Sequence, residues 1–147
     1  MKDIRILLVD DEEEFVRALS ERLSLRDLSS RTAFSGEDAM KFVSDQAPDI
    51  MVLDLKMPGT PGMEVLRLVK RRYPEIQIIV LTGHGNDLDE AEARAIGVYD
   101  YLRKPVDIEL LVARIRGAWE ESRRGASLTA AAFAEAGEVD TAKRMLD

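Results

Sequence analysis

Apolar runs alternate with amphipathic stretches along most of the chain. Ile4 to Val9 is apolar except at Arg5, Ile50 to Leu53 is uninterrupted, and Ile76 to Leu81 is broken only by Gln77. Runs of this length without polar alternation suit strands covered on both faces. Leu28 to Phe34 reads as a weaker, partly polar strand, and Val98 to Leu102 as a fifth. Between these runs the period changes. Phe15, Val16, Leu19 and Leu23 recur at helical spacing within Glu12 to about Leu25, with acids crowding the first turn, where the helix dipole favours them. Ser35 is placed to cap a second helix whose apolar face is Ala39, Met40, Phe42 and Val43. Pro61-Gly62 leads into a third carrying Met63, Val65, Leu66, Leu68 and Val69. Asp87 with Glu90 resembles a capping box for a fourth, with Gly97 as its terminal cap. Ile108 to about Trp119, with Leu111, Val112 and Ile115 on one stripe, is the fifth. Strands alternating with helices in this way imply a parallel sheet with helices on both faces, joined by right-handed crossovers.

After Trp119 the pattern changes. A charged stretch, Glu120 to Arg124, ends at Gly125, which is expected to stop the helix, and an alanine-rich segment follows. That segment reads as two short helices, about Leu128 to Ala136 and Val139 to Leu146. The expected division is a domain over 1–122 and a helical extension over 123–147.

Composition narrows the chemistry. A net charge of -7 opposes general affinity for nucleic acid or anionic membranes. With no cysteine and one histidine there is no disulfide framework, thiolate nucleophile or zinc ribbon, so any metal must be held by oxygen. No apolar run approaches the roughly 20 residues that span a bilayer, and a cytoplasmic protein is expected.

The candidate chemistry lies at the strand ends, because ligands of open α/β sheets bind outside the carboxyl ends of the strands. Asp10 and Asp11 follow the first strand, Asp54 the third, Thr82 the fourth and Lys104 the fifth. Magnesium takes one or two carboxylates and completes its shell with water and phosphate oxygens. Phosphoryl transfer needs neutralised equatorial oxygens and an in-line nucleophile. Metal, Lys104 and Thr82 could supply the first, and Asp54 the second. Taken singly, each residue has a structural role open to it: Asp10-Asp11 as helix cap, Asp54 as turn former before Met57-Pro58-Gly59, Thr82 as loop cap, and His84 as an exposed loop residue.

The motifs LLVDD, LDLKMPG, LTGHG and YLRKP together resemble the receiver domain of bacterial two-component response regulators, over residues 4 to about 119. The resemblance implies a flavodoxin-like three-layer αβα fold with a five-stranded parallel sheet of order 2-1-3-4-5. It implies Asp54 as phosphoacceptor from a histidine kinase or histidine phosphotransfer protein. It also implies Mg2+ held by Asp11 and Asp54, by Asp10 chiefly through water, and by the backbone carbonyl of Lys56. Lys104 would pair with the phosphoryl group, Thr82 would bond one of its oxygens, and Tyr101 would be the aromatic switch, with Tyr99 as a nearby competitor. Lys56 and His84, each two residues beyond a key position, would tune hydrolysis. The extension lacks a basic recognition helix and the length of a winged helix. The expected output is therefore a protein partner, not DNA, with the chain a monomer or a weak dimer through its fourth helix, fifth strand and fifth helix. A phosphorelay intermediate is the rival within the family. A magnesium-dependent phosphatase with an aspartyl nucleophile is the rival outside it, disfavoured because Lys56 stands where such enzymes need a second carboxylate.

Overall fold

The computed structural model describes residues 3–135, with side-chain surroundings through Arg124. The strands are β1 (Ile6–Val9), β2 (Ser30–Ala33), β3 (Ile50–Leu53), β4 (Gln77–Thr82) and β5 (Asp100–Arg103). The helices are α1 (Glu13–Ser24), α2 (Gly36–Asp45), α3 (Gly62–Arg72), α4 (Asp87–Ile96) and α5 (Ile108–Glu135). All strand pairs are parallel, in the order β2-β1-β3-β4-β5. The flavodoxin-like arrangement is the one expected.

Strand alternation feeds two cores. Leu7, Val9, Met51, Leu53, Ile78 and Val80 face a cluster completed by Ala39 and Val43 of α2, Val65, Leu66 and Val69 of α3, and Ala93 of α4. Their neighbours Ile6, Leu8, Ile50, Val52, Ile79 and Leu81 face the opposite cluster, with Val16, Leu19 and Leu23 of α1 and Leu111, Ile115 and Ala118 of α5. Both faces of β1, β3 and β4 are buried, which is why their sequences carry almost no polar alternation.

The helix ends show where local chemistry acts. Ser35 accepts from the Asp38 amide at 3.1 Å and caps α2 as expected. At α4 the capping box lies one residue earlier than the Asp87/Glu90 pairing: Asn86 accepts from the Asp89 amide at 2.8 Å, and Asp89 accepts from the Asn86 amide at 3.2 Å. Asn86 has the extended backbone that a cap requires, whereas Asp87 is already helical. Gly97 ends α4 in the left-handed conformation.

Strand and helix limits also moved. β1, β2, β4 and β5 begin one or two residues after the starts expected of them. The larger difference is at α5, which runs through Gly125 without a stop. A mid-helix glycine costs about 1 kcal/mol relative to alanine, and the alanine-rich sequence on its far side is a strong helix former. The first expected tail helix is thus continuous with α5, and the second lies outside the described residues.

Candidate phosphoryl-transfer site

The sheet register builds the site. Val9 pairs with Leu53, and Leu53 with Val80, so the residues that follow β1 and β3 leave the sheet side by side. Those residues are Asp10 and Asp54, and each is 3% exposed. The Asp54 amide donates to the Val9 carbonyl at 2.9 Å and the Asp10 amide to the Ala33 carbonyl at 3.1 Å, so the ladder continues through both aspartates. Thr82 is fully buried at the end of β4. The Lys104 amide donates to the Thr82 carbonyl at 3.0 Å, and the Lys104-Pro105 bond is cis.

The Lys104 ammonium enters the crevice on the Asp10 side. It donates to Asp10 Oδ2 at 2.6 Å and to Glu12 Oε1 at 3.0 Å, and lies 3.8 Å from Asp54 Oδ2. Its Nζ also sits 4.3 Å from the centre of the Phe15 ring. Burial pulls the Lys104 pKa down, but hydrogen bonds to Asp10 and Glu12 outweigh it and leave the ammonium above its ordinary 10.5. Burial raises the Asp10 carboxyl above its ordinary 3.8, against hydrogen bonds from Lys104 and the Glu12 amide.

Among the described residues, Asp10, Glu12 and Asp54 form a three-carboxylate cluster in which one oxygen from each lies within 4.8 Å of the other two. Asp11, expected as a direct ligand, is half-buried and is not a member of that cluster. Glu12 was not singled out in the sequence, where it reads as one more first-turn acid. An all-oxygen donor set beside a buried aspartate suits a hard divalent cation such as magnesium. The Lys56 amide donates to Asp54 Oδ1 at 3.3 Å, so the backbone of residue 56 already borders the carboxylate.

The loops behind the crevice are held by close packing. A Cβ on Gly62 would overlap the Asp54 carbonyl, and the Gly62 amide donates to the Leu55 carbonyl at 3.0 Å, bringing the start of α3 against the end of β3. Tyr101 is 6% exposed, and its hydroxyl is buried without a hydrogen-bond partner among the described residues, in the space that a Cβ on Gly85 would take. Burial raises its pKa above 10.0; Arg103 opposes this, and Asp89, Glu90 and Asp54 reinforce it. Tyr99, the competitor, packs against the opposite core. His84 is exposed, and its amide donates to Thr82 Oγ1 at 3.4 Å. Arg103 donates to the Gly85 carbonyl at 2.6 Å and pairs with Asp87 and Glu90, each at 3.3 Å. Lys56 Nζ lies 3.5 Å from Asp89 Oδ2, so the loop after Asp54 also touches α4.

Residues 6–116 match the model of the response regulator receiver domain. The chain belongs to that family, a family of phosphoacceptor signalling domains. Among curated proteins it is similar to the transcriptional regulatory protein AfsQ1 of Streptomyces coelicolor, 38% identical over 119 residues, covering 81% of this chain and 52% of AfsQ1. The chain therefore spans about half the length of that relative. Among solved structures it is similar to the receiver domain of NtrX from Brucella abortus, with 32% identity, TM-score 0.74, and coverage of 78% of this chain and 98% of that one. The CheY-like receiver domain protein from Methanospirillum hungatei shares the fold, with TM-score 0.81 at 21% identity over 84% of this chain and 99% of that one. No helix among the described residues is long and apolar enough to cross a membrane.

Proposed function

We propose that Asp54 accepts a phosphoryl group from the phosphohistidine of a histidine kinase or histidine phosphotransfer protein, and that its phosphorylation switches binding to a protein partner. The observation that carries this reading is the environment of Asp54: a carboxylate 3% exposed at a strand end, 3.8 Å from a buried ammonium and grouped with two other carboxylates. An Asp54 oxygen attacks phosphorus in line, the phosphorus–nitrogen bond breaks, and the departing imidazole takes a proton from solvent. Asp10, Asp11, Asp54 and the Lys56 carbonyl would hold Mg2+. When bound, that ion supplies positive charge to the transferring phosphoryl oxygens. Lys104 holds one of those oxygens afterwards, and the Thr82 hydroxyl moves to bond another.

Inward movement of Thr82 changes the space beside Tyr101, whose hydroxyl occupies the gap left by Gly85. The same loop is tied to β5 and α4 through Arg103. The signal then emerges on α4, β5 and α5, where Leu88 is 80% and Leu110 38% exposed. That surface suits a downstream protein, or a weak dimer of an otherwise monomeric chain. Lys56 and His84 tune the phosphorylated lifetime, Lys56 by exchanging Asp89 for the new phosphoryl charge. The same site carries out magnesium-dependent phosphorylation by small donors and its own dephosphorylation.

Incubation with acetyl phosphate and magnesium, followed by intact mass measurement, tests the reading. The wild-type chain is expected to gain one phosphoryl group and Asp54→Asn none. An unlabelled wild type, or a labelled Asp54→Asn, would overturn it.

A further inference from the structure

We propose that Glu12 is a positioning residue that holds the Lys104 ammonium on the Asp10 side of the crevice and so governs how readily Lys104 reaches a phosphoryl group on Asp54. The inference rests on Asp54 being the phosphoacceptor.

Glu12 occupies the N-cap position of α1, where a short polar side chain ordinarily accepts from a backbone amide of the first turn. Its side chain makes no such bond. It reaches across the crevice instead, and Lys104 donates to its Oε1 at 3.0 Å. Its backbone amide meanwhile donates to Asp10 Oδ1 at 3.0 Å. One residue thus fixes one oxygen of Asp10 and restrains the lysine bound to the other.

The ammonium has three N–H donors. Asp10 takes one at 2.6 Å and Glu12 another at 3.0 Å, and the ammonium lies over the Phe15 ring, 4.3 Å from its centre. Asp54 Oδ2, at 3.8 Å, is outside hydrogen-bonding distance. Bonding a phosphoryl oxygen on Asp54 requires the ammonium to shift toward that side, and Glu12 opposes the shift. Its side chain is 59% exposed against 14% for Lys104, so the hold is weak enough to break and strong enough to register.

The test is Glu12→Gln, which keeps shape and removes charge at a half-exposed position. In a crystal structure without metal, Lys104 Nζ is expected to approach Asp54 Oδ2 to about 3 Å. At saturating magnesium the initial rate of labelling by acetyl phosphate is expected to rise about two- to fivefold, the range an ion pair with one exposed partner supplies. In a Lys104→Met background the same substitution is expected to leave the rate unchanged, because the group that Glu12 acts through is gone. An unmoved Lys104, an unchanged rate, or a lower rate accompanied by weaker magnesium binding in calorimetry would overturn the proposal, the last by making Glu12 a metal ligand. If Lys104 moves but wild-type protein takes no label, the phosphoacceptor reading fails while the hold of Glu12 on Lys104 stands.

Discussion

Tyr101 carries its hydroxyl into the space beside Gly85. Among the described residues its buried hydroxyl has no partner, and an unsatisfied buried hydroxyl costs about 1–3 kcal/mol. Tyr101→Phe is therefore expected to leave stability unchanged or raise it by about 1 kcal/mol, measured by urea unfolding. The alkaline limb gives a sharper test. The folded pKa of Tyr101 lies above the ordinary 10.0, so above pH 10 the folded chain binds more protons here than the unfolded chain, and stability falls as pH rises. Lys70 has the opposite sign: burial lowers its pKa below 10.5, so stability rises as pH climbs toward that value. The difference between wild type and Tyr101→Phe isolates the tyrosine, and the variant should gain on wild type as pH passes 10.

At the scale of elements, the two junctions beside the site rely on different physics. The β3–α3 junction is steric, since nothing larger than hydrogen fits between Gly62 and the Asp54 carbonyl. Gly62→Ala is expected to destabilise the fold by about 2–3 kcal/mol or more through forced backbone movement, and to slow labelling of Asp54 because that backbone carries the acceptor. The β4–α4 junction is polar. Asn86→Ala removes the α4 cap at a cost of about 1 kcal/mol, and is expected to raise amide exchange in the first turn of α4 ahead of the core strands. A uniform rise across all elements would contradict that local role. These junctions also show what local pattern conveys. Ser35 was legible as a cap because Gly36-Glu37-Asp38 follows it as an acidic first turn ahead of the apolar face that starts at Ala39. At α4 several polar residues in succession offer equivalent signals, and only the extended backbone of Asn86 distinguishes it from Asp87.

For the whole molecule, α5 packs on the domain at least as far as Trp119, whose ring lies 4.7 Å from the Arg123 guanidinium. Among the residues whose side chains are described, both cores are built from positions up to Trp119. A chain ending at Arg124 is expected to keep its cooperative unfolding within about 1 kcal/mol and to accept label at an unchanged rate. A larger loss would show that residues 125–147 cover part of the domain.

Sequence alone was enough for the β–α alternation, the burial of both sheet faces and the set of strand-end residues, because strand and helix periods are local and every strand delivers its next residue to the same edge. Asp10, Asp54, Thr82 and Lys104 were legible for that reason. The grouping of carboxylates needed the tertiary structure. Glu12, not Asp11, stands within 4.8 Å of Asp10 and Asp54, because the turn from β1 into α1 swings the N-cap side chain across to Lys104, the residue after β5. The inward place of Tyr101 likewise depends on Gly85, which precedes it by sixteen positions and meets it only when β4 and β5 pair. Periodicity specifies which residues reach the edge of a sheet. Cross-strand register and the rotation of side chains at helix ends decide which of them touch.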